Sequence, residues 1–318
     1  MELSRIAEII KEQDYIGITY HISPDGDAIG SALALLQCLK AMKKKAYMLS
    51  KDSIPDNMAF LPYSEEIDEN QSTPISGTKC VIALDCGNFE RLSVNLENYN
   101  GYILNIDHHI SNERYGDYNY VDDKAAATAE IVYELIELLG VEINLDMAKC
   151  LYTSLVTDTG SFRHSNTTKK THYLAGNLIE KGLDTSKIHS SLFDNKPYQK
   201  FKLLADVLND MEGCLDNKVV VLKVTNALIE KHGLKSSDAS DMVSIGMQIK
   251  GTQVSLLIKE ADTGAKISLR SKNEIDVRKI AEKFGGGGHI KAAGAIFNNK
   301  SIEEVKNLVL KELKEELM

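Results

Sequence analysis

Tyr15-Ile16-Gly17-Ile18-Thr19-Tyr20-His21-Ile22-Ser23-Pro24-Asp25-Gly26-Asp27 changes character at its centre. Residues 15–21 read as a buried strand and Pro24-Asp25-Gly26 as a turn. From about Asp27 to Met42 the apolar residues Ile29, Leu33, Leu36 and Leu39 recur at helical spacing. The same alternation continues outward. Residues 46–50, Cys80 to Leu84 and Tyr102 to Ile106 are short strand candidates, and helix patterns run over Ala126 to Leu139, Leu145 to Thr157 and Lys170 to Lys181, the first and last ended by Gly140 and Gly182. Strands alternating with helices predict an α/β domain with a mainly parallel sheet flanked by helices on both faces. Ligands of such sheets bind beyond the carboxyl ends of the strands. His21, Asp85 and Asp107 all stand at such ends.

From about Asp184 to Asp216 the pattern shifts. Pro197 precedes a helical stretch, Gln199 to Met211, read as a connector. Strands are then expected at Lys218 to Val224, Val254 to Ile258 and Lys266 to Arg270, with a helix at Val277 to Lys283 and a charged amphipathic helix at the end. These form a second, smaller α/β domain. The expected division is 1–185, a connector at 186–216, and 217–318, with the functional cleft between the two domains.

Of the 318 residues, 43% are hydrophobic and 26% charged, which is globular composition and not that of a disordered chain. The net charge of −9 argues against coating long DNA or RNA, because non-specific affinity comes from neutralising phosphates. A small anionic substrate held by metals and a few local cations remains compatible with it. The five cysteines are odd in number and contain no C-x-x-C pair, so a disulfide scaffold is not expected and a reducing cytoplasm is. The N-terminal segment has an amphipathic helix pattern without a signal peptide's apolar core, and no apolar run approaches the ~18 residues of a membrane span.

The chemistry lies in five short stretches. His21-Ile-Ser-Pro-Asp25-Gly-Asp27 places an imidazole and two carboxylates on one loop, although Pro24 to Asp27 alone would also serve as a turn with an Asp cap. Asp85 ends Val81-Ile-Ala-Leu, and Asp107-His108-His109 follows Ile103-Leu-Asn-Ile106 with no turn to require it. Asp158 falls near a helix C-terminus, where a carboxylate opposes the helix dipole and calls for a compensating cation. If these segments meet, the clustered carboxylates cannot all stay ionised, since each raises its neighbours' pKa. Divalent cations resolve that conflict, which points to a metal site, and a two-metal one. Gly285 to Gly288 before His289 reads either as a flexible turn or as a nest of backbone N–H groups for an anion, with Arg270 and Lys272 adding positive charge. Arg163 and His164 read equally as a bridge between metals and substrate and as a solvated loop.

Together, His21-Ile-Ser-Pro-Asp25-Gly-Asp27-Ala-Ile-Gly-Ser, Leu-Asp85-Cys-Gly, Asp107-His-His-Ile-Ser-Asn, Val-Thr-Asp158-Thr-Gly and Gly-Gly-Gly-Gly-His289 resemble the DHH/DHHA1 phosphoesterase superfamily, with the motifs in family order over nearly the whole chain. Ser161-Phe-Arg163-His164 and Ile267-Ser-Leu-Arg270-Ser are similar to stretches of its nanoRNase-type oligoribonuclease/pAp phosphatase branch. The resemblance implies that His21 and Asp25 hold one metal, that Asp27, His108 and Asp158 hold the other, and that Asp85 bridges them. It further implies that Asp107 orients the histidines and His109 contacts the scissile phosphate. Arg163, His164, Arg270, Gly287, Gly288 and His289 would bind substrate. The implied activity is metal-dependent hydrolysis of short RNAs to mononucleotides and of 3′-phosphoadenosine 5′-phosphate to AMP and phosphate. Mixed imidazole and carboxylate ligands suit Mn²⁺, with Mg²⁺, Co²⁺ or Fe²⁺ also compatible. The partners expected are short oligonucleotides and small nucleotides, with no long nucleic acid and no membrane; a homodimer stays open. Stand-alone cyclic-dinucleotide phosphodiesterases carry the same motifs and are the competing reading. A non-catalytic nucleotide sensor would lack one or more of the ligands, and none is missing.

Overall fold

The computed structural model describes residues 2–317, in which contacts define two compact units with a boundary between Asn195 and Lys196. The first unit runs α1 (Leu3–Glu12), β1 (Tyr15–Thr19), α2 (Gly26–Ala41), β2 (Lys45–Met48), β3 (Cys80–Leu84), β4 (Tyr102–Asp107), β5 (Tyr118–Val121), α3 (Thr128–Leu139), α4 (Leu145–Asp158), α5 (Lys169–Glu180) and α6 (Thr185–His189). Its five strands form an all-parallel sheet in the order β2-β1-β3-β4-β5. The chain leaves β1 for β2 on one side and later returns to β3 on the other. The strand order therefore reverses between β1 and β3, the position where open parallel sheets place ligands. His21 follows β1 and Asp85 follows β3.

Strand alternation divides the apolar residues between two cores. Ile16, Ile18, Ile82, Leu84, Leu104 and Ile106 pack under α1, α2, α3 and α4. Val81 and Ala83 point to the other face. The alternation of strands and helices predicts helices there too, but that face is covered by Leu92, Val94, Leu96, Tyr99 and Tyr115. The β3–β4 connection carries only a short 3-10 turn at Phe89–Arg91, and its apolar residues supply the cover.

α2 departs from the one-sided pattern read in the sequence, because every residue from Gly26 to Leu39 is buried. Small residues make this possible. At Gly30 a Cβ atom would lie 2.5 Å from the Cys150 carbonyl oxygen and 3.0 Å from the Ser154 Cβ, so α2 and α4 approach almost backbone to backbone. Larger residues on the other sides, Ile29, Leu33 and Leu36, are fully buried and contribute roughly 1.5–3 kcal/mol each.

The second unit runs α7 (Tyr198–Asn209), β6 (Glu212–Cys214), β7 (Val219–Val224), α8 (Asn226–Lys231), α9 (Val243–Gly246), β8 (Val254–Ala261), β9 (Gly264–Ser271), α10 (Val277–Lys283), β10 (Gly287–His289), β11 (Ala292–Asn298) and α11 (Ile302–Leu317). Its sheet has the order β10-β11-β9-β8-β7-β6, antiparallel except for the β7–β8 pair. Val219, Val221, Leu256 and Ile258 pack under α10 and α11. Val220, Leu222 and Leu257 pack against Leu203 and Val207 of α7 and against Met242 and Val243. The helix after Pro197 is thus built into this core. No helix among the described residues is long and apolar enough to cross a membrane.

The α2–α4 contact yields a prediction. Gly30→Ala overfills a backbone contact and should cost about 1–3 kcal/mol, read as a lower midpoint in urea denaturation; an unchanged midpoint would refute the close approach.

Candidate metal centre

The polar residues converge because five separate pieces of backbone end at one place. His21 follows β1, Asp25 and Asp27 begin α2, Asp85 follows β3, Asp107 ends β4 with His108 and His109 beyond it, and Asp158 is the last residue of α4. Two sets of donor atoms result, His21 with Asp25 and Asp85, and Asp27 with His108 and Asp158, and a third, Asp85 with Asp107, His108 and His109, overlaps both; the atoms within each set lie within 4.8 Å of one another.

Asp85 stands between them. Its Oδ2 is 3.6 Å from His21 Nε2 and its Oδ1 is 3.5 Å from His108 Nε2. His21 Nε2 is also 3.9 Å from Asp25, and His108 Nε2 is 3.7 Å from Asp27 and 3.8 Å from Asp158. Such separations are too long for hydrogen bonds. They are close to the spacing of about 3–3.6 Å that two ligands keep around one cation when each bond is about 2.1 Å. Both imidazoles are also oriented as a cation requires. Nδ1 of His21 donates to the Ile22 carbonyl at 2.9 Å and Nδ1 of His108 to the Ala125 carbonyl at 3.2 Å, which leaves Nε2 of each toward the carboxylates.

The carboxylates are anchored individually. Helix α3 begins after Ala127, which has no capping side chain, and Asp27 of α2 takes that place. It accepts the Thr128 N–H at 2.7 Å and the Ala129 N–H at 3.2 Å, along with the Ser31 and Ser154 hydroxyls. Asp85 accepts the Thr128 hydroxyl at 3.0 Å and holds a left-handed backbone, φ +52°, that few non-glycine residues adopt. Asp107 is fully buried and accepts from His109 Nδ1 at 2.7 Å, from the His108 N–H at 2.8 Å and from Asn112 Nδ2 at 2.6 Å. Asn166 Nδ2 reaches the Asp158 backbone carbonyl at 3.2 Å and its Oδ2 at 3.4 Å.

The charge balance fits a cation. Among the described residues no lysine or arginine pairs with these carboxylates; their ionic partners are imidazoles. Burial, followed by the charges of Asp85 and Asp158, pushes Asp27 well above the usual carboxylate range. Burial likewise raises Asp158 to about 7. At Asp85 burial acts in the same direction, but the adjoining His108 and His21 outweigh it and hold the carboxyl low. Burial would lower His21, yet contacts with Asp25 and Asp85 win and push it up to about 11. Protons on imidazoles thus do the neutralising that a metal ion would do, and this acidic and histidine cluster could hold metal ions.

The remaining candidates divide between the two units. Arg163 Nε donates to the Gly160 carbonyl at 2.7 Å, and His164 Nδ1 lies 3.3 Å from the Asp158 carbonyl; both are exposed and neither pairs with the clustered carboxylates. In the second unit Arg270 pairs across the sheet with Ala292, which pairs with His289 on its other side. Arg270 and His289 therefore share one row, two strand spacings or about 10 Å apart. Burial lowers the Arg270 guanidinium, whose Nη1 donates to the Leu269 carbonyl at 2.9 Å. The glycines have distinct roles. A Cβ at Gly286 would meet the Gly294 carbonyl at 2.1 Å and one at Gly288 the Ala292 carbonyl at 2.4 Å, so both allow close pairing with β11. Gly287 faces open space.

Sequence reasoning missed Asn112, Asn166, Thr128, Ser31 and Ser154. Asn112 and Ser31 stood in quoted motifs, five residues beyond Asp107 and four beyond Asp27; Thr128 and Ser154 carry no local signal, since each acts on a carboxylate far along the chain, and Asn166 acts on Asp158 across a turn.

Family models match the chain in two places, the DHH family N-terminal domain over residues 15–155 and the DHHA1 domain over residues 216–318. The chain is 36% identical over 315 residues to the bifunctional oligoribonuclease and PAP phosphatase NrnA of Thermus thermophilus, covering 98% of this chain and 93% of that protein. The Bacillus subtilis protein of the same name is 29% identical over 92% of each chain. Among solved structures, an exopolyphosphatase-related protein from Bacteroides fragilis superposes with a TM-score of 0.90 at 26% identity, covering 98% of this chain and 95% of that one. RecJ of T. thermophilus, solved with Mn²⁺, shares the fold at a TM-score of 0.58 and 15% identity, covering 96% of this chain and 54% of its own. With five polar segments converging at the strand ends, and with similarity along almost its full length, the chain belongs to the DHH family and carries a DHHA1 domain after its DHH domain.

Proposed function

We propose that the protein is a two-metal phosphoesterase that hydrolyses short oligoribonucleotides to mononucleotides and 3′-phosphoadenosine 5′-phosphate to AMP and phosphate. The observation that carries this reading is Asp85, whose two oxygens face two imidazole–carboxylate sets. His21, Asp25 and Asp85 would hold one cation, and Asp27, His108 and Asp158 the other, with Asp85 shared. Mn²⁺ is the proposed metal, because imidazole and carboxylate donors suit it. When bound, such a pair supplies Lewis-acid charge neutralisation and water activation for phosphoryl transfer. The substrate class follows the relatives named above, whose names state these two activities.

The protein's own groups then have definite tasks. Asp107 fixes the ring of His109 through the 2.7 Å contact to Nδ1, and His109 meets the scissile phosphate and stabilises its growing negative charge. Arg163 and His164, just beyond Asp158, contribute to substrate binding. In the second unit Arg270 has a half-buried guanidinium without a carboxylate partner among the described residues, and a terminal phosphate would supply the missing counter-charge. The open backbone at Gly287, with Gly288 and His289 beside it, suits the same anion.

The decisive experiment is product analysis with Mn²⁺ on 3′-phosphoadenosine 5′-phosphate, a dinucleotide, a 5-mer, a 24-mer RNA and cyclic di-AMP. Mononucleotides from the short RNAs and phosphate from the first substrate are expected, with slow turnover of the 24-mer; preferential opening of the cyclic dinucleotide would replace the reading. Calorimetric titration should show two equivalents of Mn²⁺. Ligands must be deprotonated to bind metal, so uptake should release protons and affinity should rise from pH 6 to pH 8, as expected with His21 at about 11 and Asp158 at about 7 in the metal-free protein. A pH-independent affinity would contradict the ligand assignment. Asp85→Ala should abolish nearly all turnover in a folded protein. Arg270→Ala should raise KM about 10–100-fold, the worth of a charged hydrogen bond, with kcat little changed.

A further inference from the structure

Strand β4 contains a residue that its surroundings do not explain. Asn105 is fully buried in the middle of a parallel sheet, between Leu104 and Ile106, where an apolar residue is the default. A buried amide costs free energy unless its groups are satisfied, and here they all are. Nδ2 donates to the Cys86 carbonyl at 3.0 Å and lies 3.1 Å from the Tyr115 hydroxyl, and Oδ1 accepts from Asn112 Nδ2 at 2.8 Å. The Tyr115 hydroxyl donates to the same Cys86 carbonyl at 3.0 Å, and Asn112 Nδ2 approaches it at 3.4 Å. Three side chains from β4 and the loop after it therefore converge on one backbone oxygen.

That oxygen belongs to the residue immediately after Asp85, whose left-handed φ of +52° turns its carboxylate toward both imidazoles. A conformation of that kind persists only where its surroundings over-determine it. The same network reaches the other end of the site, since Asn112 also donates to Asp107 at 2.6 Å and Asp107 holds His109 at 2.7 Å. The backbone adds a tie, the Glu113 N–H on the Gly87 carbonyl at 2.8 Å, and a side-chain pair adds another, Asn88 Nδ2 on the Glu113 carboxylate at 2.6 Å.

We propose that Asn105, Asn112 and Tyr115 form a positioning hub that fixes the backbone of Asp85 and the carboxylate of Asp107 relative to each other, so that one buried cluster sets both the shared metal ligand and the orientation of His109. The hub rests on the metal-centre reading above. Its members touch neither metal nor substrate; they act through Asp85 and Asp107. Tyr115 is the cleanest probe, because Tyr115→Phe removes only the hydroxyl and keeps the ring that packs edge-on to Phe89 at 5.7 Å.

The test measures Mn²⁺ affinity by calorimetry, alongside thermal unfolding and hydrolysis, for the full chain and for Tyr115→Phe, Asn112→Ala and the double variant. Loss of an outer support of a metal ligand typically weakens metal affinity or activity about 10–100-fold. Folded Tyr115→Phe and Asn112→Ala should each lose Mn²⁺ affinity several-fold or more, and their effects should be non-additive in the double variant, as expected within one network. Wild-type Mn²⁺ affinity in folded Tyr115→Phe, with only the unfolding midpoint lowered, would overturn the hub and leave a structural role. Should Asn112→Ala fail to fold, Tyr115→Phe alone decides. A wild-type protein that binds Mn²⁺ but hydrolyses none of the panel would overturn the substrate assignment, and the affinities would still judge the hub.

Discussion

The first unit is organised around electrostatic repulsion. Asp27, Asp85 and Asp107 are buried together near Asp158, with three imidazoles in reach and no lysine or arginine paired to them among the described residues. Buried like charges are tolerable only where dipoles, protons or cations offset them. Each local device answers that need. Backbone N–H groups at the start of α3 point at Asp27, Thr128 donates to Asp85, and three donors surround Asp107. The neutralisation left undone is suited to a small multivalent cation.

The same constraint explains why so much structure is committed to spacing. Asp27 rides on α2 and Asp158 on α4, so the separation of these two carboxylates is set where the helices touch at Gly30. His21 and Asp85 follow neighbouring strands whose register is fixed from Ile16–Cys80 to Thr19–Ala83. Packing density turns into the spacing of carboxylates and imidazoles here: a site assembled from helix and strand ends inherits the precision of the core beneath it.

Much of this was legible in the sequence wherever an apolar run stopped abruptly at a charged residue, as at His21, Asp85 and Asp107. Those breaks placed the strands, and the strand–helix alternation gave the parallel sheet. Other features left no local trace. β5 reads Tyr-Asn-Tyr-Val and is only half buried, so neither alternation nor an apolar run marks it. The complete burial of α2 depends on how closely α4 approaches, and the cover over the second face of the sheet on where Leu92, Val94 and Leu96 fold back. Nothing in the letters of the strand marks the role of Asn105, because its acceptor at Cys86 is 19 residues away in the chain. Four glycines in a row are equivalent as letters; their neighbours in space make Gly286 and Gly288 close-packing residues and leave Gly287 open.

Asp27 accepts from Thr128, 101 residues downstream, and from Ser154, 127 residues downstream. The order of synthesis gives these separations a meaning. A growing chain presents His21, Asp25 and Asp27 early, but of the donors to Asp27 only the Ser31 hydroxyl is then at hand; the N–H groups that begin α3 and the Ser154 hydroxyl of α4 follow much later. The centre is therefore a late product of biosynthesis, and an ion captured by the emerging N-terminal segment alone would meet only a fraction of its ligands.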